Sequence, residues 1–150
     1  MVLQSFHATC ESNMANTLRL EIATPDAMVY SDDVDMVTLP GVEGQMGVLP
    51  HHIRLITQLV PGEIIVRKGD RSDSLAVGEG LVEVTGHGVS IVTDMAIAAE
   101  KIDEAMVEEA RKHAAERLHE KLSSEQVASV NAALARSLAE LRVKRRRRTP

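Results

Sequence analysis

The sequence predicts a β + α chain: an N-terminal antiparallel β-sandwich of about ten short strands, then a C-terminal two-helix antiparallel hairpin. Apolar residues repeat with a period of two from Leu18 to about Met95, and with a helical period beyond Ala96. Glycine-bearing turn signals separate the alternating runs at the spacing of a sandwich. At 150 residues and 44% apolar, the chain can bury a real core in one domain, or in a small domain with an appendage. The implied divisions are an extension over 1–17, a sandwich over 18–98, a helical hairpin over 99–143 and a basic tail over 144–150.

The stretch "MVLQSFHATCESN" is polar and aperiodic, and Met14 opens "MANTLRLEI" where the first strand pattern starts, so the extension is expected to be disordered. "TLRLEIA" alternates Leu18, Leu20 and Ile22 against Arg19 and Glu21, as a half-buried strand does. "GVEGQMGVLPHH", residues 41–52, interleaves glycines and a proline with Val42, Met46, Val48 and Leu49, a pattern suited neither to an ordinary surface loop nor to a buried strand. "GEIIVRKGDRSDSLAVGEG" reads as a hairpin with a polar turn near Gly69 to Asp73. "LVEVTGHGVSIVTD" sets Val82 and Val84, then Val89 and Ile91, around a turn at Gly86 to Gly88. In the helical half, Val107, Ala110, Ala114, Leu118 and Leu122 share a face, with Asp103 as N-cap. Ser123 and Gln126 form a capping box ahead of a second stripe, Val127, Val130, Leu134, Leu138 and Leu141, on a helix of roughly 18 residues, or about 27 Å. Both stripes are thin and alanine-rich, so the pair is expected either to dock on the sandwich or to move and find a partner elsewhere.

Charge is segregated. The net value is −5, but Arg142 to Pro150 holds Arg142, Lys144, Arg145, Arg146, Arg147 and Arg148, six of the 17 basic residues, leaving 11 against 22 acidic ones in the rest of the chain. Such a run reads either as a frayed helix end or as a contact for an acidic protein surface. Nucleic acid is disfavoured by the acidic body and by an aromatic content limited to Phe6 and Tyr30, which removes stacking platforms. Cys10 stands alone, so no internal disulfide or thiolate metal cluster can form, and a reducing compartment is expected. No run approaches the ~18 apolar residues of a membrane span, and no leader pattern opens the chain.

No catalytic constellation is present: neither a nucleophile elbow nor a phosphate-cradling glycine loop occurs. Asp32, Asp33 and Asp35 lack the glycine and distal glutamate of a calcium loop and read as a solvated turn. His51 and His52 would face opposite ways in a strand, and His113 and His119 do not share a helical face, so no metal site is expected.

These features together resemble the epsilon subunit of the F-type ATP synthase, over Leu18 to about Val143. "GVEGQMGVLPHH" is similar to that family's G-x-x-G-x-x-G-[IV]-x-P-x-H loop, "LAVGEGLVEV" to its strand-glycine-strand element, "KIDEAMVEEA" to the start of its hairpin and "LAELRV" to its end. The resemblance implies a non-catalytic central-stalk subunit of a proton- or sodium-translocating synthase, peripheral on the cytoplasmic face of the bacterial inner membrane and held there only through the complex. Its partners would be the gamma subunit, the c-ring and, in an inhibited state, the alpha/beta catalytic head. Gln45, Met46, Gly47, Val48 and His52 would contact the ring, while Arg142 and Lys144 to Arg148 would enter the head when the hairpin extends and blocks ATP hydrolysis. Glutamate is common in the family where this chain has Gln45, and glycine where it has His51. Some members bind ATP through an I-D-x-x-R-A pattern. Ile102 and Asp103 match it, but Met106, Val107, His113 and Glu116 replace the rest, so the motif is vestigial and no cofactor is expected. A β-sandwich ligand-binding or interaction module is the rival reading, and a nucleic-acid adaptor using the basic tail a more distant one.

Overall fold

The computed structural model describes residues 16–118 and 123–148, so nearly all of the expected N-terminal extension, together with His119 and Leu122, lies outside the described residues. Ten strands come first: β1 (Leu18–Ala23), β2 (Met28–Val34), β3 (Met36–Gly41), β4 (Gly44–Val48), β5 (Leu55–Leu59), β6 (Gly62–Lys68), β7 (Arg71–Val77), β8 (Gly80–Val84), β9 (Gly88–Thr93) and β10 (Ala96–Ala98). A 3-10 turn at Ala99–Lys101 leads into α1 (Glu104–Arg117) and α2 (Ser124–Arg148).

The strand order is β10-β7-β6-β3-β5-β8-β9-β1-β2, with β4 hanging on β3. Every pairing is antiparallel except that of β1 with β9. The sheet turns from one layer to the other through the single β3–β5 pair Gly41–Leu59, and β2 comes back against β6. Between the layers the alternating residues meet: Leu20 and Ile22 of β1, Val82 and Val84 of β8, and Ile91 of β9 pack in one cluster with Leu39, Ile64 and Val66. Each such fully buried aliphatic contributes about 1.5–3 kcal/mol. The β6–β7 turn is tighter than the sequence suggests, because Gly69, at φ +57°, makes the turn before Arg71 starts the next strand. At Gly80 a Cβ would lie 2.1 Å from the Val92 carbonyl oxygen, so the strand-glycine-strand element exists to let β8 and β9 approach.

Both helices start where the sequence places them. The Asp103 carboxylate accepts from the Ala105 and Met106 amides, and the Ser123 amide donates to Gln126 while the Gln126 amide donates to the Ser123 hydroxyl. α2, however, runs to Arg148, 25 residues or about 37 Å, and so carries the basic run as helix. It packs on α1 and also on β6 and β7. Leu141 and Val143 of α2 join Val107, Ile102, Ala99 and Ala76 in a second apolar cluster on the outer face of the sheet. That double contact corrects the expected stripe: Ala139 and Val143 are buried, whereas Leu138, 47% exposed, sits on the rim. The hairpin is therefore docked on the sandwich in this structure.

Candidate functional site

Two surfaces carry the residues singled out by the sequence. The first is β4, an edge strand whose one pairing among the described residues is with β3. Alternation aims Gln45 and Gly47 outward and Met46 and Val48 inward. Val48, 1% exposed, is part of the sandwich core, and Met46 packs partly against it. Val48, expected at the ring, is a core residue here, because its β3 partner Val37 is fully buried and sets the register. A Cβ on Gly47 would come within 2.9 Å of the terminal methyl of Met36, a flexible side-chain end that could shift to admit it. His52 does not lie in a strand. It closes the β4–β5 loop, its amide donating to the Leu49 carbonyl at 3.2 Å and its Nδ1 lying 2.8 Å from the Ile53 carbonyl oxygen. His51 takes φ 65°, the left-handed conformation that glycine adopts freely.

The apolar residues that this end of the molecule does expose are Val42 in the β3–β4 turn, Leu49 just after β4, and Ile53 in the β4–β5 loop, the last 77% exposed. Leu49 was legible, since once Met46 and Val48 point inward an odd-numbered neighbour must point out. Ile53 was not, because it sits in irregular backbone.

The second surface is the C-terminal half of α2 with the carboxylates facing it. Arg136 bonds Asp94. The Lys144 ammonium donates to the Ala99 carbonyl, and Arg145 lies 3.6 Å from Glu104 and 3.8 Å from Glu108. Arg146 donates to Glu63 of β6 at 2.9 Å, and Arg147 to Glu100 at 2.8 Å. The docked hairpin therefore interleaves these cations with acids from the sheet, the 3-10 turn and α1. The Arg147 hydrogen bond holds the Glu100 carboxyl below its ordinary range, and the Arg111 hydrogen bond, with Arg111 and Arg145 nearby, does the same for Glu108. Burial alone pushes the Glu140 carboxyl up. Arg142 is exposed and borders a shallow groove between the helices, with Leu138 and Arg111.

The remaining candidates have structural roles. Ile102 is buried in the second cluster and Asp103 caps α1, while Met106 faces solvent. Asp32 accepts from the Lys68 ammonium at 2.6 Å, a contact that keeps its carboxyl below the ordinary range, and Asp35 accepts from the Gly69 amide. Among the described residues no group of three or more metal-ligating side chains comes together. A cleft of about 750 Å³ lies between the outer sheet face and the end of α2. Arg146 and Glu63 on its border are tied to each other, as are Arg147 and Glu100, so they do not converge on a ligand.

A family model for the ATP synthase Delta/Epsilon chain, beta-sandwich domain, matches residues 17–99. The ATP synthase epsilon chain of Herpetosiphon aurantiacus is 40% identical over 131 residues, covering 87% of this chain and 96% of the relative. That of Dehalococcoides mccartyi is 39% identical over 132 residues, covering 87% and 94%. Among solved structures, a chain of the Euglena gracilis mitochondrial ATP synthase (OSCP/F1/c-ring, rotational state 1) superposes with a TM-score of 0.70 at 25% identity, over 90% of this chain and 84% of that one. A chain from the central stalk/c-ring of the Tetrahymena thermophila mitochondrial enzyme, at 17% identity and a TM-score of 0.53, shares the fold. Among the described residues no helix is long and apolar enough to cross a membrane.

Proposed function

The chain belongs to the ATP synthase epsilon-chain family, and from that premise we propose that it is a non-catalytic central-stalk subunit that couples c-ring rotation to gamma and brakes ATP hydrolysis with its hairpin. The observation that carries the coupling half is the β4 edge: a free strand edge bearing Gly47 and Gln45, flanked by Leu49 and Ile53, which the core leaves exposed. A glycine on that edge lets another backbone approach closely, and the apolar pair supplies area to bury. With Gln45 and His52, these residues form the proposed ring contact, to which Gln45 offers a neutral hydrogen bond. Ile56, Leu81 and Val92 form a second exposed apolar group on the outward face of β5, β8 and β9, suited to gamma.

The braking half rests on α2. At about 37 Å, with Arg142 and Lys144 to Arg148 at its leading end, it can reach from the stalk into an acidic segment of the catalytic head. The complex would place the subunit on the cytoplasmic face of a bacterial inner membrane, with protons or sodium as the coupling ion. The test is assembly of the complex with a Leu49→Asp, Ile53→Asp chain. Its sandwich is expected to melt like the wild type while ring binding and proton-coupled synthesis fall. Unchanged coupling would remove this surface from the ring contact.

A further inference from the structure

Glu63 is the one carboxylate among the described residues buried on the outer face of the sheet, its side chain 5% exposed. Its strand neighbours Ile64 and Val66 point into the sandwich core, and α2 packs directly on β6. Glu63 thus owes its burial to the docked hairpin: lifting the hairpin returns it to water. A buried carboxylate strongly disfavours the state that buries it unless a cation compensates. The compensating cation here is Arg146, whose guanidinium donates to Glu63 at 2.9 Å while its own side chain stays 62% exposed. The two partners therefore stand unequally. Glu63 needs Arg146; Arg146, still in contact with water, barely needs Glu63.

We propose that Glu63 is a conditional ejector: it permits docking only while Arg146 holds it, and it drives the hairpin off the sandwich when Arg146 is taken elsewhere. The idea rests on the reading that the hairpin lifts, and deepens it by naming the group that couples release to capture. An acidic partner surface that draws Arg146 gains a cation and at the same time leaves Glu63 buried without one, so capture and undocking reinforce each other. The other contacts follow different rules. Arg147–Glu100 is exposed on both sides and weakens with salt, whereas Arg146–Glu63, closed off on the carboxylate side, is screened less.

The inequality is testable in the full chain with Cys10→Ser and spin labels at Ser90 and Asn131, both exposed, one on the sandwich and one on α2. The interlabel distance distribution then reads docked against lifted hairpin. Arg146→Gln is expected to raise the lifted-to-docked ratio by about tenfold or more. Glu63→Gln should leave it within about threefold. The double variant should return to the Glu63→Gln level, and this rescue also shows that Arg146→Gln has not merely unfolded α2. If Arg146→Gln leaves the ratio unchanged, if Glu63→Gln opens the hairpin as far as Arg146→Gln does, or if the double variant fails to rescue, the proposal is overturned. Hydrolysis by the assembled enzyme reports separately on the brake, so a failed brake with an intact inequality would sink that reading and leave this one standing.

Discussion

Single residues on the β4 edge behave in opposite ways, and the difference follows from which face of the strand they occupy. Val48→Asp places a charge among Val37, Leu39 and the rest of the core, and is expected to cost about 3 kcal/mol or more, or to prevent folding outright. Ile53→Asp, in an exposed loop, should fall within about 0.5 kcal/mol of the wild type in urea titration while weakening assembly. If Val48→Asp melted like the wild type, the inward assignment would be wrong. His51 offers a separate check on backbone strain. At φ 65°, a β-branched replacement such as His51→Val should cost about 1–2 kcal/mol. His51→Gly should be near neutral, since relief of the left-handed conformation offsets the extra freedom of the unfolded chain. The sequence showed this loop to be unusual but not which of its apolar residues served the core. Glycines on either side of Met46 obscure the alternation that its pairing with Leu39 makes plain.

At the scale of elements, local chemistry was the most readable part of the chain and long-range packing the least. Leu18–Ile22, Val82–Val84 and Val89–Ile91 alternate as written, and both helix caps form as the residue types demand. Asp103→Ala and Ser123→Ala are each expected to cost about 1 kcal/mol of hairpin stability, seen as earlier loss of helical circular dichroism than of sandwich signal. The parallel β1–β9 pair and the exposure of Leu138 had no local signature, because each depends on a surface supplied by a distant part of the chain. Glu140 gives the hairpin a pH dependence of definite sign. Burial raises its carboxyl pKa, so docking is fully stable below the ordinary glutamate range and weakens as pH climbs through that range to the folded-state value. Glu140→Gln should remove this decline, making its hairpin the more stable at pH 7 and equal to the wild type at pH 4. Glu100, held low by Arg147, works the other way, its contribution present above the ordinary range and fading as acid protonates it. An unchanged melting profile of Glu140→Gln between those pH values would show that the carboxyl is not opposing docking.

The whole molecule consists of a sandwich with its own closed core and a hairpin that shares with it only a second, smaller cluster. Among the described residues none of the first cluster lies beyond Ala96, so truncation after Ala99 should leave a folded sandwich that still assembles, its newly bared face consisting largely of Ala76, Ile97 and Glu63. If the lifted hairpin is the brake, that truncation raises ATP hydrolysis by the assembled enzyme. Reversal of Arg145 to Arg148 to glutamate should do most of the same by a different route: it sets like charges against Glu63, Glu100, Glu104 and Glu108 and so loosens docking, but it also removes the attraction to an acidic partner that the lifted hairpin needs in order to brake. Neither change by itself separates loss of the cations from loss of the helix. Glu63→Leu does, since it leaves every α2 charge in place and removes a carboxylate that the docked hairpin buries against the sheet. With the hairpin held down by an apolar contact in place of an ion pair, the enzyme should hydrolyse ATP faster than the wild type while α2 remains intact and fully basic. Hydrolysis equal in wild-type, truncated, charge-reversed and Glu63→Leu enzymes would make the hairpin a purely structural appendage; a rise with truncation but not with Glu63→Leu would mean that the brake does not depend on leaving the sandwich.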